Sequence, residues 1–158
     1  MCHYCGCRDM PLIRDYIAEH ERATNLMGDA VRAMDAGDLD HASGLLARVA
    51  DELVSHWQGE ESGLFAAMQP DALYAEHIAP LVEDHRALGD FLVKLDIRDP
   101  ADQQRVRREA EALWAHIARE EDGLFPASLT ALDGDQWDAA IAAWERAHPG
   151  AHLIADAR

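Results

Sequence analysis

The 158-residue chain is 49% hydrophobic and 28% charged, a soluble globular balance, and its length suits one domain whose core needs no disulfide staples. Its 14 Lys and Arg against 30 Asp and Glu leave a net charge of −16, which argues against nucleic acid and anionic membrane surfaces as partners, since both are gripped by clustered cations. No apolar run approaches the ~18 residues of a membrane span. MCHYCGCRDM has neither the basic nor the apolar region of a signal peptide, so the expected location is the cytoplasm.

Residues 1–10 form a Cys-rich N-terminal segment. Beyond it Ala, Leu, Glu, Arg and Asp dominate, and apolar positions recur at helical spacing, as in Leu12, Ile13, Tyr16 and Ile17. Asp9 and Pro11 resemble an N-cap and a first-turn proline, opening a helix that runs to about Ala36 and stops at Gly37. Asp38 or Asp40 starts a second helix, reaching about Met68 before Pro70. Asp71 caps a third, to about Asp96, with Pro80 as a point of splitting or kinking. Asp99-Pro100 opens a fourth, ending near Pro126 or a few residues later. Its one basic stretch, Arg105, Arg107 and Arg108, is interleaved with acids and suits a solvated face. A shorter fifth helix, about Asp135 to Ala147, ends at His148-Pro149-Gly150. Short connections between long helices imply antiparallel neighbours. The expected fold is all-α: an antiparallel up-down-up-down four-helix bundle over residues 11–130, with a short C-terminal helix and tail over 131–158.

A repeat runs through this pattern. HWQGEESGLF from His56 and HIAREEDGLF from His116 share H-x-x-x-E-E-x-G-L-F, and the preceding helices add His20 and His85. Residues i and i+4 share a helix face, so His56 pairs with Glu60 and His116 with Glu120. Counted at about 1.5 Å per residue along an antiparallel bundle, all six fall in one slab about two turns thick. Burying four imidazoles and two carboxylates together is costly without a partner, and metal ions supply one. The donor set suits two ions bridged by the carboxylates, with two histidines on each.

This H…HxxxE…H…HxxxE pattern resembles the hemerythrin-like family, the HHE cation-binding domain, over about residues 12–130. The resemblance implies two iron ions with an oxo or hydroxo bridge. His20 and His56 would bind one, His85 and His116 the other, and Glu60 and Glu120 would span both. The Glu-x-x-His spacing of the other di-iron bundles is absent at these sites. Oxygen-carrying members have two histidines one turn apart on the third helix, where this chain has Leu81 and Gly89 beside His85. One protein ligand is therefore missing, to be replaced by water, Glu52 or Tyr16. That departure argues against reversible oxygen carriage and leaves a position open to a small oxidant.

The expectation is a di-iron protein that binds and handles dioxygen or reactive oxygen species, with catalase-like turnover of hydrogen peroxide as its candidate reaction. The alternatives are an iron, oxygen or nitric oxide sensor, or a metal-binding module without turnover. Glu61 and Glu121 suit the surface better than a role behind the ligands, and Glu19 and Glu21 share that ambiguity. Trp57, Trp114, Phe65 and Phe125 are expected in the core. Cys2, Cys5 and Cys7 form an oxidisable tail, a redox switch or a second metal site, the last with His148 and His152 as contributors if the chain's end returns to its start.

Overall fold

Aspartates set where most helices begin. The computed structural model describes residues 6–154. A 3-10 turn, Cys7–Asp9, precedes α1, Ile13–Asp35. α1 starts later than Asp9 and Pro11 suggested. Leu12 takes φ 71°, uncommon for a residue with a side chain, and the Asp15 carboxylate accepts its N–H at 3.1 Å. α1 ends at Gly37, φ 79°, where Asp38 N–H donates to the Ala33 carbonyl at 2.9 Å in a Schellman-type stop.

α2, Leu39–Ser62, is capped by Asp38, which accepts from His41 N–H. It does not run on to Met68. The helix breaks at Gly63 and resumes as α3, Leu64–Met68. A Cβ at Gly63 would lie 2.6 Å from the Gly59 carbonyl oxygen and 3.0 Å from that of Ala140, so the break is built around glycine. α4, Ala72–Lys94, is capped by Asp71 and passes through the exposed Pro80 without splitting. α5, Pro100–Arg119, begins with Asp99 accepting from Ala101 N–H. It continues as a π-helical turn, Glu120–Leu124, and then α6, Phe125–Ala131. α7, Gly134–Ala147, opens with a capping box in which Asp133 and Gln136 accept each other's N–H.

The buried apolar side chains form two clusters. One holds Met27, Val49, Leu53, Leu88, Phe91 and Leu113; the other holds Ile13, Tyr16, Leu64, Phe65, Phe125 and Trp144. Along the helices the chain crosses from one to the other at a histidine: His20 between Ile17 and Ala23, His56 between Leu53 and Leu64, His85 between Leu81 and Leu88. A polar layer thus divides the core. Phe65 and Phe125 are buried as expected, but Trp114 is 61% exposed: it sits two residues before His116, on the opposite side of α5. α7 packs on α2 and α3. The last described residue returns to α1: Ile154 N–H donates to Asp15 at 2.7 Å and Arg14 donates to the Ile154 carbonyl. Among the described residues there is no strand, and no helix is long and apolar enough to cross a membrane.

Candidate metal centre

The polar layer gathers His20 from α1, His56 and Glu60 from α2, His85 from α4, His116 from α5 and Glu120 from the π-helical turn. All six are buried, with both glutamates at 0% exposure. The Nε2 atoms of His20 and His56 lie 3.0 Å apart, as do those of His85 and His116. Glu120 sits between the two pairs: Oε2 is 3.2 Å from His20 Nε2, and Oε1 is 2.9 Å from His116 Nε2. Glu60 Oε2 lies 3.3 Å from His56 Nε2 and 3.6 Å from His85 Nε2. Donor atoms converge in two groups, His20, His56, Glu60 and Glu120 on one side and His85, His116 and Glu120 on the other.

The far nitrogen of each ring meets a second carboxylate. His56 Nδ1 donates to Glu19 at 2.7 Å, His85 Nδ1 to Glu61 at 2.8 Å, His116 Nδ1 to Asp84 at 3.1 Å and His20 Nδ1 to Glu121 at 3.0 Å. These bonds close a ring, α1 to α2, α2 to α4, α4 to α5, and the turn after α5 back to α1. Glu61 and Glu121 are therefore not merely surface acids: each turns about 100° from the preceding glutamate and meets the histidine of a neighbouring helix. Glu19 does the same for His56, whereas Glu21 is exposed. Asp84 escaped the sequence reading, although the acid-His pairs Glu19-His20 and Asp84-His85 repeat.

This ring assigns the protons. A carboxylate only accepts, so each neutral imidazole keeps its hydrogen on Nδ1 and turns a bare Nε2 lone pair inward. All four oxygens of Glu60 and Glu120 lack a hydrogen-bond partner, despite imidazole nitrogens at ion-pair distance. If all four rings are neutral, lone pairs and carboxylates face one another with no hydrogen between them, an arrangement that fits a bound cation.

Without a cation the charges redistribute. Burial raises the Glu60 carboxyl well above its ordinary value, and nearby Glu120, Glu19 and Glu61 add to this. Burial opposes ionisation of Glu120 too, but His116, His20 and His85 outweigh it and hold that carboxyl well below the usual range. Burial disfavours the His20 cation, yet Glu120 and Glu121 raise the imidazole to about 9. His56 falls to about 4 through burial, reinforced by the His20 charge. In the metal-free cluster a proton on His20 partly does a cation's work.

Glu52 is not part of the cluster; it pairs with Arg22 at 2.7 Å. Tyr16 stays close. Its ring meets His56 edge-on at 5.6 Å, and its buried hydroxyl has no hydrogen-bond partner. Burial and the Glu60 carboxylate raise that hydroxyl well above its usual value. Leu81 belongs to the apolar core, and Gly89 leaves room for Trp57, whose ring stacks on His85 at 4.9 Å. Cys7 is disulfide-bonded, so it holds no thiolate for a metal, while Cys2 and Cys5 lie outside the described residues. His148 serves elsewhere: it stacks on Trp144 at 4.2 Å, donates from Nδ1 to the Trp144 carbonyl and places Nε2 3.0 Å from Glu19. His152 is exposed. Trp144 Nε1–H also donates to Glu19, at 2.8 Å.

No curated protein and no solved structure matches the chain. Residues 12–128 match the family model described as the hemerythrin HHE cation-binding domain. That segment carries all six inward-facing side chains, and the chain belongs to the hemerythrin HHE family.

Proposed function

We propose that this chain is a di-iron protein that binds and handles dioxygen or reactive oxygen species. The observation that carries the reading is the spacing of the inward nitrogens. Two nitrogens about 2.1 Å from one ion subtend about 90° when they are 3.0 Å apart, as in both histidine pairs. Tetrahedral zinc would hold them about 3.4 Å apart. Two imidazoles near a right angle with carboxylates beside them, and positions to spare, suit non-haem iron. His20 and His56 would hold one iron, His85 and His116 the other, with Glu60 and Glu120 spanning them. The reading takes residues 11–130 as the metal-binding domain and α1, α2, α4 and α5 as an antiparallel up-down-up-down bundle, the order that brings all six donors to one level.

Bound iron supplies one-electron redox chemistry and Lewis acidity. The chain's own residues do the rest. Glu19, Glu61, Asp84 and Glu121 hold the Nδ1 protons and fix the ring orientations. Phe65, Phe125 and Tyr16 exclude water from one side. On the His85 side, where Leu81 and Gly89 stand in place of a second histidine, a water would take the open position, while Tyr16 with its hydroxyl lies on the other side, against His56. Cys7 would act as a redox element, since it is disulfide-bonded and its neighbour Arg8 pairs with Glu121 at 2.7 Å; Cys2 and Cys5, expected to share that role, lie outside the described residues. The partners are small molecules, and the working compartment is the cytoplasm.

The test is metal content per chain with an ultraviolet–visible spectrum, then hydrogen peroxide added to the same sample. Two irons with oxygen evolution support peroxide handling. Two irons without turnover point to sensing or binding, and zinc or no metal overturns the redox reading.

A further inference from the structure

α7, Gly134–Ala147, lies outside the segment that matches the family model, yet it reaches the back of the metal layer. Two glycines of α2 admit it. A Cβ at Gly63 would lie 3.0 Å from the Ala140 carbonyl oxygen. One at Gly59, between His56 and Glu60 in sequence, would lie 3.4 Å from the Trp144 ring and 3.4 Å from the His148 ring. This close approach carries the Trp144 indole into the interior, where its N–H needs an acceptor. It finds Glu19 Oε1 at 2.8 Å. His148 holds the indole in that pose: it stacks on the ring at 4.2 Å with 18° between the planes, and its Nδ1 bonds back to the Trp144 carbonyl.

The Glu19 carboxylate therefore meets donors from two helices. Trp144 of α7 takes Oε1, and His56 of α2 donates from Nδ1 to Oε2 at 2.7 Å. One donor alone would let the carboxylate turn about its axis; two fix its plane. With Oε2 so placed, His56 keeps its hydrogen on Nδ1 and its Nε2 lone pair points into the layer.

We infer that Trp144, held by His148, is a positioning residue for the metal centre: it fixes the Glu19 carboxylate, which sets the tautomer and aim of His56. The inference rests on the reading of His56 as a metal ligand and adds to the centre a residue from outside the family segment.

The test is nitrogen NMR of the His56 ring in the metal-free full chain, followed by ferrous iron affinity from chelator competition. In the parent protein His56 should carry its hydrogen on Nδ1. Glu19→Gln leaves one acceptor oxygen for two donors. An indole can only donate, so it should keep that oxygen, and His56 should move its hydrogen to Nε2. Adding Trp144→Phe removes the competitor and lets the amide oxygen turn to His56. The double variant should regain the Nδ1 hydrogen and bind iron about tenfold more tightly than Glu19→Gln alone, recovering part of the about 10–100-fold that such a partner controls. Trp137→Phe, at another α7 indole packed in the apolar cluster, should recover neither. A Trp144 that served packing alone would make the double variant weaker than either single one. No recovery of tautomer or affinity, or equal recovery with Trp137→Phe, overturns the inference. Recovery of the tautomer in a protein that binds no metal overturns the ligand reading while upholding the hold of Trp144 on His56.

Discussion

Glu19→Gln is the sharpest perturbation of the outer carboxylate ring. The Glu19 side chain is 1% exposed and uses both oxygens: Oε2 accepts from His56 Nδ1 at 2.7 Å and Oε1 from Trp144 Nε1 at 2.8 Å. An amide has one acceptor oxygen, so one of these buried donors must face an NH2 group instead. A lost hydrogen bond to a charged acceptor costs about 1.5–3 kcal/mol. If the amide turns its NH2 toward His56, the imidazole moves its proton to Nε2, the atom needed inward. Loss of such a partner typically weakens metal binding about 10–100-fold. Urea unfolding of the metal-free protein should therefore show a loss of about 1.5–3 kcal/mol, and chelator competition should show the weaker affinity. Trp144→Phe removes only the indole donor and leaves the His56 bond, so its affinity loss should be smaller. A Glu19→Gln variant with parental stability and parental metal affinity would refute the role of the ring in fixing His56.

Three further outcomes are expected. His116→Ala or Glu120→Ala should lower iron content below two per chain by elemental analysis; unchanged iron would sink the ligand assignment. Metal uptake should weaken as pH falls below about 9, because the His20 proton held up to that value competes with the cation. The limit is tenfold per pH unit for that one proton, while His56, at about 4, is already neutral at pH 6–8; a flat affinity profile over that range would contradict this. Gly63→Ala should destabilise by about 1–3 kcal/mol in thermal melts, because its Cβ would lie 2.6 Å from a carbonyl oxygen, whereas Gly123→Ala meets nothing within 4 Å and should be nearly neutral.

Some of this was legible in the sequence for local reasons. Asp38, Asp71 and Asp99 cap helices through bonds spanning two or three residues, which adjacent residues specify. The six-residue cluster was legible because helical pairing and rise per residue are fixed by backbone geometry. What was not legible depends on neighbouring helices. The break at Gly63 follows from a close approach to Ala140 of α7, and the π-helical turn gives no local warning. Glu61 and Glu121 looked like surface acids because a residue 100° from its neighbour can face either water or another helix. Glu52 lies on the same face as His56, yet Arg22 of α1 captures it. Trp114 is a different case: a helical wheel places it opposite His116, so its exposure could have been foreseen.

The ring of outer carboxylates also bears on how many cations the layer asks for. Six acids surround the four imidazoles: Glu60 and Glu120 within, and Glu19, Glu61, Asp84 and Glu121 behind. Arg8 pairs with Glu121, Arg119 with Asp84, and Glu61 reaches solvent, which leaves the buried Glu19, Glu60 and Glu120 without a permanent cation beside them. One divalent ion would leave that buried set anionic, where uncompensated charge is most costly; a second would not. The metal-free cluster answers the same demand by holding a proton on His20 and by keeping Glu60 from ionising. Because each helix holds the next helix's histidine from behind, the outer carboxylates help aim the Nε2 donors inward, and a bound cation would take the place of the protons that His20 and Glu60 otherwise hold.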